Sequence, residues 1–226
     1  MKKRALIKQP AGIGDIFFCQ KIAKKIQDQG YEIIWPVIPE FLWIKDYIEG
    51  IVFCDINEQR LFEYDIIFSL EDADKLFPNI SVMEAKYELA GLRWDNWCDH
   101  FKFNRNVDKR EDDLFYDVLK LTDDSKYALK NFHFASPPHE QICEAAMQAN
   151  TNGLQEICMS NIVGFTLLDW AKVIERAQTI HTVETSINYI IEKVNVTNDL
   201  HMYSKWNPAN FFHIKNLFKK PWTYHA

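Results

Sequence analysis

The residues best placed to do chemistry lie near the start of the chain. The apolar run Ala5-Leu6-Ile7 leads through Gln9-Pro10-Ala11 into Gly12-Ile13-Gly14-Asp15, and apolar residues at helical spacing follow. Two glycines one residue apart permit a tight turn and close backbone approach. A helix opening there has free N–H groups and a partial positive charge at its mouth, which stabilises a carboxylate. Asp15 is therefore placed either to cap the helix or to accept a proton from a hydroxyl held beside it. A dinucleotide fingerprint would need glycine again at position 17, which is Phe17, so the spacing argues against a nicotinamide cofactor.

Three further clusters carry polar chemistry at predicted strand ends. His181-Thr182-Val183-Glu184-Thr185-Ser186 lies where a strand passes into a helix. Hydroxyls and N–H groups at such a junction suit a phosphate or diphosphate, although Thr and Ser are also ordinary helix caps. Glu184 suits the hydroxyls of a ribose. Phe132-His133-Phe134-Ala135-Ser136 ends another strand, where His133 or Ser136 meets a phosphate or His133 serves the interior. Lys205, after His201-Met202-Tyr203-Ser204, either approaches a phosphate or is simply solvated. The rings from Trp94 to Phe103 suit either a sugar-stacking platform or core packing.

Composition removes several classes. A net charge of −6 without a long Lys/Arg run argues against nucleic-acid binding. Cys19, Cys54, Cys98, Cys143 and Cys158 are widely spread and form no CxxC pair, so they read as reduced core thiols and supply no metal site. Asp72-Ala73-Asp74 has the spacing of a metal-binding pair but reads as a solvated loop. No stretch reaches the roughly 18 apolar residues of a membrane span, and the short apolar run after Met1-Lys2-Lys3-Arg4 is interrupted by Pro10, Gly12 and Asp15 before it could serve as a signal segment, so a cytoplasmic location is expected. GxSxG, HExxH and Walker A motifs are absent.

The elements that must position these residues follow an α/β rhythm. Strands are predicted at 4–9, Glu32–Val37, Ile51–Cys54 and Tyr64–Leu70, with helices over Ile16–Ile26 and Phe41–Glu49 between them. That order implies a parallel sheet covered by helices. Helices are expected at 80–92 and 111–121, and Leu121–Lys126 reads as a boundary. A second set follows, with strands at Tyr127–Phe134, Glu156–Met159, Gln178–Val183 and Leu200–Ser204. Its helices fall at Glu140–Ala149, Thr166–Ala177, Glu184–Val194 and Phe211–Phe218. Thr166-x-x-Asp169 resembles a capping box. The reading is thus α/β, with two Rossmann-like domains facing a cleft, divided into residues 1–124 and 125–226.

On these residues the chain resembles the GT-B glycosyltransferases, in particular the heptosyltransferase-like group. Those proteins open with a strand, a Gly-x-Gly-Asp turn and a helix, here Gly12-Ile13-Gly14-Asp15. The resemblance implies that Asp15 is the base activating an acceptor hydroxyl, with Gly12 and Gly14 shaping the acceptor loop. The family's hydroxyl-rich loop that contacts the donor diphosphate corresponds in order to Thr182, Thr185 and Ser186. Where the family carries Asp-Ser-Gly-Pro-x-His, this chain has Val183-Glu184-Thr185-Ser186-Ile187-Asn188. Where the family carries a donor-binding lysine, it has Ser136-Pro137-Pro138-His139.

What this implies is a compact glycosyltransferase with an N-terminal acceptor-binding domain and a C-terminal nucleotide-sugar-binding domain. It would take a nucleoside-diphosphate sugar as donor and an unidentified hydroxyl acceptor, with inversion and with no metal or other cofactor. The expected donor contacts are His133, Ser136, His181, Thr182, Glu184, Thr185, Ser186 and Lys205. Two other readings stay open: a non-catalytic nucleotide or sugar binder of the same fold, and an assembly protein docking through an apolar patch in residues 93–118.

Overall fold

A computed structural model describes residues 2–9, 12–58, 62–134, 140–196, 198–205 and 215–225. The chain divides into two compact units, Met1–Asn104 and Arg105–Ala226.

The first unit contains four parallel strands, β1 (Lys3–Lys8), β2 (Tyr31–Val37), β3 (Ile51–Asp55) and β4 (Ile66–Ser69), in the order β3-β2-β1-β4. Between β1 and β2 run α1 (Ile13–Phe18) and α2 (Gln20–Asp28), so the single predicted helix is two segments broken at Cys19. A 3₁₀ helix at Pro39–Asp46 replaces the α-helix expected over Phe41–Glu49. After β4 come α3 (Ala73–Leu76), α4 (Val82–Leu89) and α5 (Trp97–His100). A capping box opens α4: Ser81 Oγ accepts the Glu84 N–H, and Glu84 Oε2 accepts the Ser81 N–H, each at 3.2 Å.

Trp97 and Phe101 are buried to 1% and 0% exposure against α1. Phe101 stacks on Phe17 at 4.7 Å between ring centres, and Phe18 meets Tyr87 and Trp97. These rings are core. They pack around α1 rather than forming a sugar platform, while Trp94 and Phe103 stay partly exposed.

The second unit has five parallel strands in the order β11-β10-β9-β5-β8. They are β5 (Tyr127–Asn131), β8 (Gln155–Cys158), β9 (Thr179–Val183), β10 (Asp199–Tyr203) and β11 (Trp222–His225). Nothing in the local sequence pattern signals β11, a four-residue strand after Lys219-Lys220-Pro221. A two-stranded antiparallel pair, β6 (His133–Phe134) and β7 (Gln141–Ile142), and α7 (Glu144–Met147) occupy the segment expected to finish one strand and form one helix. The predicted Phe211–Phe218 helix lies largely outside the described residues.

Thr166–Ala177 forms a 3₁₀ turn (Leu167–Trp170) continuing into α8 (Ala171–Arg176), and the expected Thr166/Asp169 capping box is present. The last helix is α9 (Ile187–Lys193).

The division falls at Asn104/Arg105 rather than at 124/125. Residues 105–124 belong to the second unit because α6 (Arg110–Asp112), and the π-helical turn Asp113–Val118 that continues it, are tied to α8. Arg105 holds the buried Glu111 with two hydrogen bonds, at 2.7 and 2.6 Å, and Glu175 with two more, at 3.0 and 2.9 Å. Lys172 meets Asp112 at 2.6 Å. Charge pairing across long sequence separations, invisible to local periodicity, sets this boundary. Leu114 and Phe115 are buried here, while Tyr116 and Val118 stay exposed.

Candidate functional site

In open α/β sheets, ligands sit beyond the carboxyl ends of strands where the strand order reverses. The first unit reverses between β1 and β4, and β1 leads straight into the Gly12 turn. Gly12 has extended backbone (φ 174°), and its carbonyl accepts the Asp15 N–H at 3.1 Å. A methyl built on Gly12 would collide with Asp15 Oδ2. A side chain at 12 would displace the Asp15 carboxylate from this position. Gly14 lies inside the first turn of α1, beside Asp15.

The Asp15 side chain does not cap the helix. Its hydrogen-bond partner among the described residues is Lys86 on α4, which contacts Oδ1. The Lys86 side chain is 2% exposed and that of Asp15 22%. Burial pushes the neighbouring Cys19 thiol up to about 12, against the pull of Lys86. No pattern in the sequence pointed to Lys86, which is 71 residues from Asp15.

The second unit reverses between β5 and β9, whose ends place Asn131 beside Thr182 in register. Asn131 Nδ2 donates to Thr182 Oγ1 at 3.0 Å and to Thr185 Oγ1 at 2.9 Å. Thr182 Oγ1 donates to Val183 O at 2.8 Å, and the Thr185 N–H donates to Asn188 Oδ1 at 2.7 Å. Thr182 is fully buried and its proton is committed, so it shapes the turn. Asn131, the hub of this network, was not anticipated. An Asn at a buried strand end facing two threonines was the available signal, but it becomes visible only once β5 and β9 are paired.

Glu184 differs from its neighbours. Its N–H donates to Tyr203 O at 3.2 Å, which ties the turn to β10. Its Oε2 is buried without a hydrogen-bond partner among the described residues, as is Asn188 Nδ2 in the same turn. Burial pushes the Glu184 carboxyl up to about 7, with Lys205 pulling the other way. Burial lowers Lys205, with Glu184 opposing. Unmet polar atoms beside a perturbed acid and a lysine make this turn a candidate ligand site. Ser186 stands at the start of α9, partly exposed, with no capping bond from its side chain.

The remaining expected contacts separate from this group. His181 alternates with Thr182 along β9 and so points to the opposite face of the sheet. There it is 4% exposed and meets Tyr203 OH at 3.1 Å and Thr179 Oγ1 at 3.3 Å. It stacks on His201 at 4.5 Å, and His201 Nδ1 lies 3.0 Å from His225 Nε2. His133 is exposed on β6 with its ring against Phe132. Ser136 lies outside the described residues. Asp72 pairs with Lys75 on the surface at 2.6 Å, and no group of metal-ligating side chains occurs among the described residues.

No protein-family model and no curated protein matches the sequence. Solved structures do match in fold. A glycosyl transferase of family 9 from Veillonella parvula DSM 2008 superposes with a TM-score of 0.61 at 12% identity, over 99% of this chain and 86% of that one. The Escherichia coli heptosyltransferase WaaC, solved with ADP-2-deoxy-2-fluoro heptose, gives 0.53 at 13% identity over 99% and 93%. TibC, an iron-containing dodecameric glycosyltransferase of enterotoxigenic E. coli H10407, gives 0.54 at 9% identity. All of this chain is covered there but only 63% of TibC. The chain has the mixed α/β, parallel-sheet fold of the GT-B glycosyltransferases, with a polar constellation at the switch point of each sheet.

Proposed function

We propose that this protein is a glycosyltransferase that moves a sugar from a nucleoside-diphosphate sugar to an acceptor hydroxyl with inversion. One observation carries the reading: on a fold shared with sugar-transferring enzymes, Asp15 and the Glu184 turn each occupy the ligand position of their own sheet. The acceptor O–H gives its proton to Asp15. Its oxygen bonds to the anomeric carbon as the bond from that carbon to the diphosphate breaks. The electron pair leaves with the nucleoside diphosphate. Lys205 and the Ser186 hydroxyl meet the diphosphate, and Glu184 accepts from or donates to sugar hydroxyls. Positive charge from Lys205 serves where other enzymes use a metal, so turnover is proposed to need none. The structural neighbours solved with ADP-linked heptoses make an ADP-sugar the first donor to try.

The test is Asp15→Asn. It is expected to reduce turnover by about 10³-fold while nucleotide affinity stays unchanged, because the amide oxygen still accepts a hydrogen bond from Lys86 but the group cannot take a proton. The lost charge pair is expected to lower stability, so a circular dichroism melt accompanies the assay. Parallel loss of binding and turnover counts against the base role. Binding with no turnover in the unsubstituted protein makes the chain a non-catalytic binder.

A further inference from the structure

We propose that Lys86 is a positioning residue for Asp15, holding Oδ1 so that Oδ2 is the oxygen that receives the acceptor's proton. The inference rests on the reading of Asp15 as base. An ammonium that is 2% exposed is costly to bury unless it is paired, and Asp15 is the anion it touches. Cys19 offers no substitute: burial lifts its thiol to about 12, so it stays protonated at neutral pH.

α4 is itself immobilised around Lys86. Its neighbours Ala85 and Tyr87 are fully buried, the Tyr87 hydroxyl donates to Phe18 O, and the Ser81/Glu84 box closes the first turn. The ammonium is thus a fixed point, and the carboxylate it grips is an asymmetric fork. Oδ1 is tied down, whereas Oδ2 lies against Gly12, in the place a Cβ there would occupy. A carboxylate with one oxygen tethered holds its other oxygen in one orientation towards a hydroxyl, which is what proton transfer in an oriented complex needs.

The experiment compares unsubstituted protein with Lys86→Met, Lys86→Arg, Asp15→Asn and the double variant. It measures release of nucleoside diphosphate by hydrolysis of ADP-glucose, ADP-heptose, UDP-glucose and GDP-mannose, in which water stands in for the acceptor, gives its proton to Asp15 and takes the sugar. Lys86→Met is expected to lower kcat by about 10²-fold with the donor KM unchanged, and Lys86→Arg to recover at least about a tenth of the loss. The double variant is expected to be no slower than Asp15→Asn, since the two residues act as a unit.

Full kcat in Lys86→Met alongside a dead Asp15→Asn overturns the positioning role and leaves the base reading standing. Full kcat in Asp15→Asn overturns the base reading itself. If the unsubstituted protein turns over none of the four donors, the Asp15 side-chain rotamer, measured by NMR in the unsubstituted protein and in Lys86→Met or Lys86→Arg, decides the inference. A rotamer population that loss of the ammonium leaves unchanged overturns it; loss of the single rotamer in Lys86→Met, with retention in Lys86→Arg, supports it.

Discussion

At Glu184 a carboxyl sits in a turn where its own Oε2 and Asn188 Nδ2 are buried without a hydrogen-bond partner among the described residues. Burial raises it to about 7, so near neutrality it is partly protonated. Below that value it is neutral and can donate a hydrogen bond to a phosphoryl or sugar oxygen. Above it, it is an anion facing a diphosphate. Affinity for ADP, the first probe, is therefore expected to fall as pH rises from 6 to 8, by up to about tenfold at effective interior dielectric. Glu184→Gln should remove that dependence. Titration calorimetry at the two pH values checks both; an unchanged slope in the variant assigns the dependence to another group. Lys205 belongs to the same balance, because each of the two charges opposes the desolvation of the other.

At the scale of elements, the parallel strands of the second unit do not read as continuous apolar runs. One face of β9–β11 carries His181, His201, Tyr203 and His225, packed ring on ring. Lys130 of β5 and Glu156 of β8, paired at 2.8 Å, act on the same histidine, as does Asp199 on His201. Burial first, then the neighbouring histidines and Lys130, depress His181 to about 4.

The sign follows directly. Between about 4 and 6.5 the unfolded chain binds a proton that the folded chain refuses. Stability is therefore full above pH 6.5 and is lost as pH falls through this window, by at most about 3 kcal/mol for this group. Urea unfolding at pH 7.5 and 5.0 should show the loss, and His181→Gln should flatten it. An equal loss in the variant would move the effect to other groups.

For the whole molecule, the test is mass action. A ligand at about 100 times its dissociation constant adds roughly 2.7 kcal/mol to stability, which for a chain of this size raises the melting temperature by roughly 5–10 °C. A panel of ADP, UDP, GDP, CMP and NAD, with and without magnesium, is expected to show a shift with one nucleoside diphosphate and none with NAD, unaffected by the metal. A shift with NAD alone would point to hydride chemistry, and none at all would leave the fold without its proposed ligand. The two units are not copies. Among the described residues the parallel sheet of one has four strands and that of the other five, and each reverses its strand order at a different place. No helix of the described residues is long and apolar enough to cross a membrane.

What the sequence determined by itself is local. Alternation and helical spacing placed β1, α2, β2, β9 and α9 within a few residues. The Gly12-Ile13-Gly14-Asp15 turn and the Thr166/Asp169 box were legible because their partners lie within a few positions. Tertiary structure alone decided which distant groups meet. Lys86 reaches Asp15 across 71 residues, and Asn131 reaches Thr182 and Thr185 across 51 and 54. It also decided that His181 faces away from Thr182, that Trp97 and Phe101 fill the core, and that residues 105–124 join the second unit. The reason is physical. Periodicity says that a strand has two faces, but only strand register and the packing of helices from elsewhere in the chain determine which face is buried and what it meets.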